Sequence, residues 1–210
     1  IAGGTGLTDT ILLVNDGGTA SWSTNISQIE NITVLDLAST AGNDSTITMS
    51  AYALGATKTL TVDASALDLL ENFTFTGDLS TSKMHITGGA GDDTLHGGTL
   101  NDTIMGGAGN DSLATTTGNN SLVGGAGNDT LTTEGTGNDW LEGGDGNDTF
   151  VLSDDFDYAD TIAGGDGADL MSHTANITSA TVLGGMSGVE TIRPLGAGDA
   201  AVTITLAAPI

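Results

Sequence analysis

The chain has no cysteine, so disulfides, thiol catalysis and thiolate metal sites are excluded. Only three of its 210 residues are lysine or arginine, against 27 aspartates and glutamates, for a formal net charge of −24. So strong a shortage of positive charge disfavours DNA, RNA and anionic membranes as partners and favours cations. Aromatics make up 4% of the residues, too few to build a conventional thick core. No stretch approaches the 18 apolar residues of a transmembrane helix, so membrane insertion is not expected. The opening IAGGTG carries neither an initiator methionine nor a basic leader, and AAPI is no recognisable terminus; a window of a longer protein is expected.

Catalytic signatures are missing as well. There is no HExxH, no G-x-S-x-G elbow and no P-loop. GGMSGVE (184–190) sets a serine between glycines, but at the wrong spacing for an elbow. His85, His96 and His173 are scattered, and His96, at the end of a strand, reads as a surface residue. Acidic pairs that would mimic a glycosidase fall almost entirely at repeat positions. No catalytic residue is assigned, and the chain is expected not to be an enzyme.

What the chain does have is 33 glycines. Glycine-rich acidic sequences are often disordered, but here the glycines are periodic. From Gly88 the period is nine: GGAGDDTLH (88–96), GGTLNDTIM (97–105), GGAGNDSLA (106–114), TTTGNNSLV (115–123) and GGAGNDTLT (124–132). After Thr133 comes EGTGNDWLE (134–142), then GGDGNDTFV (143–151); after Leu152, Ser153 and Asp154 come DFDYADTIA (155–163) and GGDGADLMS (164–172). The eighth position is always apolar: Leu95, Ile104, Leu113, Leu122, Leu131, Leu141, Phe150, Ile162 and Met171. Glycines at positions one, two and four permit a tight turn. The next residues form a short strand whose eighth side chain points inward. One such unit cannot bury its apolar face alone, but a stack of them can.

These nonapeptides resemble the RTX calcium-binding repeat, G-G-x-G-x-D-x-U-x. The resemblance implies an all-β parallel β-roll over 88–172, in which one coil takes two copies and copies n and n+2 stack on the same edge. It also implies Ca²⁺ held between stacked turns by sixth-position aspartates and turn carbonyls. Sorted this way, a first edge collects Asp93, Asp111, Asp129, Asp148 and Asp169. The turn residues implied to contribute there are Gly89 and Gly91; Gly106, Gly107, Ala108 and Gly109; Gly124, Gly125, Ala126 and Gly127; Gly143, Gly144, Asp145 and Gly146; and Gly164 with Asp166. About four calcium ions are expected, one between each adjacent pair of the five turns. Stacked strands lie about 4.8 Å apart. Carboxylates at that spacing repel by about 1 kcal/mol in water and about 3–4 kcal/mol at an effective dielectric near 20, so cation binding is expected to be coupled to folding.

The second edge collects Asp102, Asn120, Asp139 and Asp160, and its glycines are eroded. For its three aspartates, weak metal binding and simple Asx-turns both stay open; Asn120 offers only a neutral carbonyl oxygen. The second-edge stretch DFDYAD (155–160) is no EF-hand, because Ala159 occupies a ligand place and the required glycine is missing. Asp154, Asp155, Asp157 and Asp160 are expected to form an acidic bulge there.

Residues 1–87 alternate in strand fashion in DTILLVN (9–15), ENITVLDLAS (30–39), STITMSAY (45–52), KTLTVDAS (58–65), ENFTFTG (71–77) and KMHITGG (83–89). They are expected to continue the solenoid without calcium turns, with a separate small β-sandwich as the alternative, and ASALDLLEN (64–72) has room for one helical turn. A longer repeat relates GGTGLTDTILL (3–13) to GGDGADLMS (164–172), QIENITVL (28–35) to GVETIRPL (188–195) and AGNDSTITMSA (41–51) to AGDAAVTITLA (197–207). Residues 173–210 thus open the next module of roughly 160 residues, which would advance about 43 Å at eighteen residues per coil. Trp22 and Trp140 are expected to pack in the solenoid rather than to stack on sugars.

The resemblance implies a secreted protein exported by type I secretion and folding outside the cell. The modular repeat resembles S-layer and surface-filament proteins that self-assemble into a lattice or filament at the bacterial surface, with cell-surface polysaccharide as a possible further partner. The alternatives are an adhesin segment, or the carboxy-terminal roll of a secreted protease or lipase.

Overall fold

A computed structural model of the chain describes residues 9–15, 20–22, 29–36, 44–49, 58–77, 82–152, 160–173 and 186–194. They form two parallel sheets of nine strands each, and the chain alternates between them strand by strand. Sheet one stacks β1 (Asp9–Asn15), β3 (Ile29–Asp36), β5 (Thr59–Asp63), β7 (Lys83–Thr87), β9 (Thr103–Ala108), β11 (Ser121–Ala126), β13 (Trp140–Asp145), β15 (Thr161–Asp166) and β17 (Met186–Ser187). Sheet two stacks β2 (Ala20–Trp22), β4 (Ser45–Met49), β6 (Phe73–Thr76), β8 (Thr94–His96), β10 (Ser112–Thr115), β12 (Thr130–Thr133), β14 (Thr149–Leu152), β16 (Asp169–His173) and β18 (Val189–Pro194). The fold is an all-β parallel solenoid, consistent with a β-roll.

Its core is two facing ladders of single side chains. In sheet two, Phe75, Leu95, Leu113, Leu131, Phe150, Met171 and Ile192 are partners in register. In sheet one, Ile86, Ile104, Leu122, Leu141 and Ile162 are. All nine eighth-position residues are fully buried. The sheet-one ladder runs on into the flank through Val62, and Leu60, Phe73 and Met84 are buried beside it, so the alternating Thr/apolar segments join the same core. A period of two, with one face inward, sets which residues these are.

Several expectations change. Residues 64–72 form two turns, closed by Leu67 N–H to the Ala64 carbonyl and Glu71 N–H to the Asp68 carbonyl, rather than a helical turn. Trp140 is 47% exposed on the outer face of β13, because Leu141, the next residue, takes the inward position; it does not pack in the solenoid. The Trp22 side chain lies outside the described residues, as do Asp154, Asp155 and Asp157. Thr133 and Leu152, which lie between nonapeptide copies, end β12 and β14 in register with each other.

Coils are also longer in the flank than in the roll. Asp9 pairs with Ile29, Asn31 with Thr61 and Thr61 with His85, whereas Thr94 pairs with Ser112 and Ser112 with Thr130. The 160-residue repeat therefore spans fifteen strands, from β1 to β16 and from β3 to β18. That is seven and a half coils, or about 36 Å rather than 43 Å. Because fifteen is odd, related strands sit on opposite sheets: β1 and β3 on sheet one, β16 and β18 on sheet two.

Leu131→Ala should lower the unfolding free energy by about 2–4 kcal/mol, because it opens a cavity between two neighbouring coils. Thr132→Ala, on the outer face, should cost less than about 0.5 kcal/mol. Denaturant titration in calcium measures both; equal losses would contradict an inward eighth position.

Candidate metal-binding edge

The turn geometry follows from glycine. Gly107, Gly125, Gly144 and Gly165, all at position two, have φ between 111° and 124°, and a Cβ on each would overlap the carbonyl oxygen of the position-two glycine one coil earlier. No other residue fits such turns stacked at strand spacing. The turns of 88–93, 106–111, 124–129, 143–148 and 164–169 thereby stack on one edge, with Gly125 in register with Gly107 and Gly144 with Gly125.

The five sixth-position aspartates of this edge are buried, each no more than 2% exposed. One oxygen of each is used to clamp the coil before it. Asp93 N–H donates to Asp111 Oδ1 at 2.8 Å, Asp111 N–H to Asp129 Oδ1 at 2.7 Å, Asp129 N–H to Asp148 Oδ1 at 2.8 Å and Asp148 N–H to Asp169 Oδ1 at 2.8 Å. Phe73 N–H donates to Asp93 Oδ1 at 2.7 Å, tying the ladder to the flank.

The other oxygen is the informative one. Oδ2 of Asp111, Asp129, Asp148 and Asp169 is buried with no hydrogen-bond partner, while Asp93 Oδ2 accepts from Gly89 N–H at 2.6 Å. Each Oδ2 points to where a Cβ on the first glycine of its own turn would sit. At Gly88, Gly106 and Gly143 the first-glycine carbonyl of the following turn, that of Gly106, Gly124 and Gly164 respectively, converges on the same point. A buried carboxylate oxygen with no donor is costly unless a cation completes it. Carboxylates with backbone carbonyls are the all-oxygen donor set that hard Ca²⁺ takes. Among the described residues no three acidic or histidine side chains converge on one point, so carbonyls must complete any site. The carbonyls of Ala126, Asp145 and Asp166 accept N–H groups of Gly109, Gly127 and Gly146, and a second lone pair remains on each. The side chains of Asp145 and Asp166 point to solvent and do not join the buried carboxylates.

The second edge keeps the clamp and loses the open oxygen. Asp102 N–H donates to Asn120 Oδ1, Asn120 N–H to Asp139 Oδ1 and Asp139 N–H to Asp160 Oδ1. Asp102 Oδ2 accepts from Gly98 N–H, and Asn120 Nδ2 donates to the Gly118 carbonyl. At Gly97 the methyl of Thr115 lies where the first edge places a carbonyl oxygen. Thr116 and Thr117 hydroxyls donate to the carbonyls of Gly98 and Thr99. Hydrogen bonds between neutral groups thus take over carbonyls that a cation would use.

Two features lay outside the sequence reading. Fifth-position residues form an outer ladder: Asn110, Asn128, Asn147 and Ala168 each donate N–H to the fifth-position side chain one coil earlier, beginning at Asp92. The recurrence of Asn before the sixth-position Asp was the available signal. The other feature is Glu190, whose Oε2 accepts the Asp169 N–H at 2.6 Å, in the role an aspartate plays elsewhere in the ladder.

Burial raises the carboxylates. Asp111 is pushed up to about 7 by desolvation, partly offset by the Asp93 N–H, with Asp93 and Asp129 as like-charged neighbours. Desolvation likewise raises Asp93, Asp102, Asp129 and Asp169 to about 6, and lifts Asp139 and Asp148.

The family described as RTX calcium-binding nonapeptide repeat (4 copies) matches residues 85–104, 105–134, 135–159 and 157–174. No curated protein and no solved structure matches the chain.

Two outcomes follow from this geometry. These acids hold a proton more tightly folded than unfolded, where aspartate titrates near 3.9. Without metal, stability is therefore retained below about pH 4 and lost as pH rises through about 6–7. With calcium chelated, the β circular-dichroism signal should be stronger near pH 4–5 than at pH 8, and saturating calcium should remove the difference; a flat chelated profile would contradict it. Asp129→Ala should cost more calcium affinity than Asp139→Ala in calorimetric titration, because only the first carries an open oxygen; equal losses would contradict the division between edges.

Proposed function

Residues 85–174 are RTX calcium-binding nonapeptide repeats, and from that premise we propose that the chain is a structural segment of a secreted protein, folding on Ca²⁺ outside the cell. Proteins with such repeats are typically secreted. In this reading about four ions lie on the first edge, between the turns of Asp93, Asp111, Asp129, Asp148 and Asp169. They neutralise a ladder that electrostatics otherwise opposes. Low calcium inside the cell keeps the segment unfolded for type I export; higher calcium outside folds it.

The specific role proposed is an S-layer or extracellular filament subunit at the bacterial surface, without enzymatic activity. The observation that carries it is the recurrence of one module along the chain: β1 with β3 and β16 with β18 repeat the same sequence pattern and the same register shift. A solenoid built of repeated modules suits an extended load-bearing chain that self-assembles. An adhesin is favoured by one separate observation, the 47% exposure of Trp140 in an outward row with His85, Thr103, Ser121 and Thr161, beside a row of Met105, Val123 and Glu142. An exposed indole flanked by hydroxyls along its row suits stacking on a polysaccharide.

Electron microscopy of the protein before and after calcium addition tests the assembly reading. Lattices or fibres are expected with calcium. Dispersed monomers at every calcium level, together with Trp140 fluorescence that responds to surface polysaccharide and is lost in Trp140→Ala, would favour the adhesin.

A further inference from the structure

The ladder does not stop with the last nonapeptide. Beyond Asp169 the chain returns to sheet two at β18, outside the matched repeats and with no GGxGxD turn preceding it. At this junction the register slips. Asp169 pairs with Val189 but Leu170 pairs with Thr191, so Glu190 is the extra residue of a β-bulge. Bulges re-aim a side chain and are placed where a ladder needs one. Here the bulge turns Glu190 back, and its Oε2 takes the Asp169 N–H at 2.6 Å. The longer glutamate spans the distance that the bulge adds.

Two oxygens converge at this step, and a second carboxylate is bonded to the Asp169 backbone beside them. Asp169 is 1% exposed, and its Oδ2 has no hydrogen-bond partner. The Gly188 carbonyl oxygen and Asp169 Oδ2 both lie around the point where a Cβ on Gly164 would sit, as the Gly106 carbonyl and Asp93 Oδ2 do at Gly88. Gly188 has φ of +69°, a conformation that brings its backbone against Gly164 and Gly165. Glu190 supplies the second carboxylate.

We propose that Asp169, the Gly188 carbonyl and Glu190 form a further divalent-cation site, one step past the last nonapeptide turn, with a bulged glutamate replacing the sixth-position aspartate. The remaining oxygens that Ca²⁺ requires come from water and turn carbonyls. The bulge recurs. Asp9 pairs with Ile29 and Thr10 with Asn31, so Glu30 is the extra residue of the same bulge 160 positions earlier. There the glutamate already holds a cation, the ammonium of Lys58. The site lies just past the matched repeats, with its glutamate on the bulged strand β18.

This inference rests on the calcium reading of the first edge, and the test separates the two. Calcium is titrated calorimetrically into the whole chain and into Glu190→Gln, whose amide oxygen still accepts the Asp169 N–H. The expected result is one ion fewer in Glu190→Gln, with the remaining sites unchanged in affinity, and no loss in Glu30→Gln. Equal stoichiometry and affinity in wild type and Glu190→Gln would overturn the site while leaving the edge intact; no calcium binding by wild type would overturn both. Should Glu190→Gln fail to fold, the wild-type stoichiometry decides: one ion beyond the four between the five aspartate turns is expected, and four ions overturn the proposal.

Discussion

One interaction fixes this structure: a buried carboxylate accepting the backbone N–H of the coil before it. At Asp111, Asp129, Asp148 and Asp169 it sets the stacking of turns, because the donor is always the equivalent residue one coil earlier. The bond uses one carboxylate oxygen and leaves the other enclosed. Burying an anion without a counter-charge is expensive, so the contact that aligns the coils also creates the demand for a cation. The stacking geometry and the open anionic oxygen have a common origin in the same side chain.

The two edges show that this demand is separable from the stacking. Asn120 sits in the second-edge ladder as well as an aspartate would, since its Oδ1 accepts the Asp102 N–H. It then spends its amide on the Gly118 carbonyl, and threonine hydroxyls bond other carbonyls nearby. TTTGNNSLV is thus a turn held by hydrogen bonds between neutral groups, not a damaged metal turn. Leu122 keeps the core continuous beneath it. The first edge keeps four open carboxylate oxygens, whereas the Asn120 turn of the second is closed by its own amide and by threonine hydroxyls.

The inward ladder was legible residue by residue, because a nonapeptide period with an apolar eighth position has only one way to bury that position. The assignment of Asp93 through Asp169 to one edge and Asp102 through Asp160 to the other followed from counting two copies per coil. What escaped was whatever depended on backbone direction. Trp140 and Leu141 are adjacent and both apolar, and only the pleat decides that the leucine turns in. ASALDLLEN has helical composition, yet its ends are held at solenoid spacing, with Leu67 beneath Gly89, which leaves room for turns only. Glu190 was invisible as a ladder member, since a bulge breaks the spacing by which the others were recognised.

The odd number of strands between related elements has a consequence for symmetry. A module of seven and a half coils cannot repeat by translation along the axis. Each recurrence turns through half a revolution while advancing about 36 Å, so a chain of such modules is a two-fold screw with a true period of about 72 Å. The edge with open carboxylate oxygens would then alternate from one flank to the other, so that neither flank of such a rod keeps one chemistry along its length.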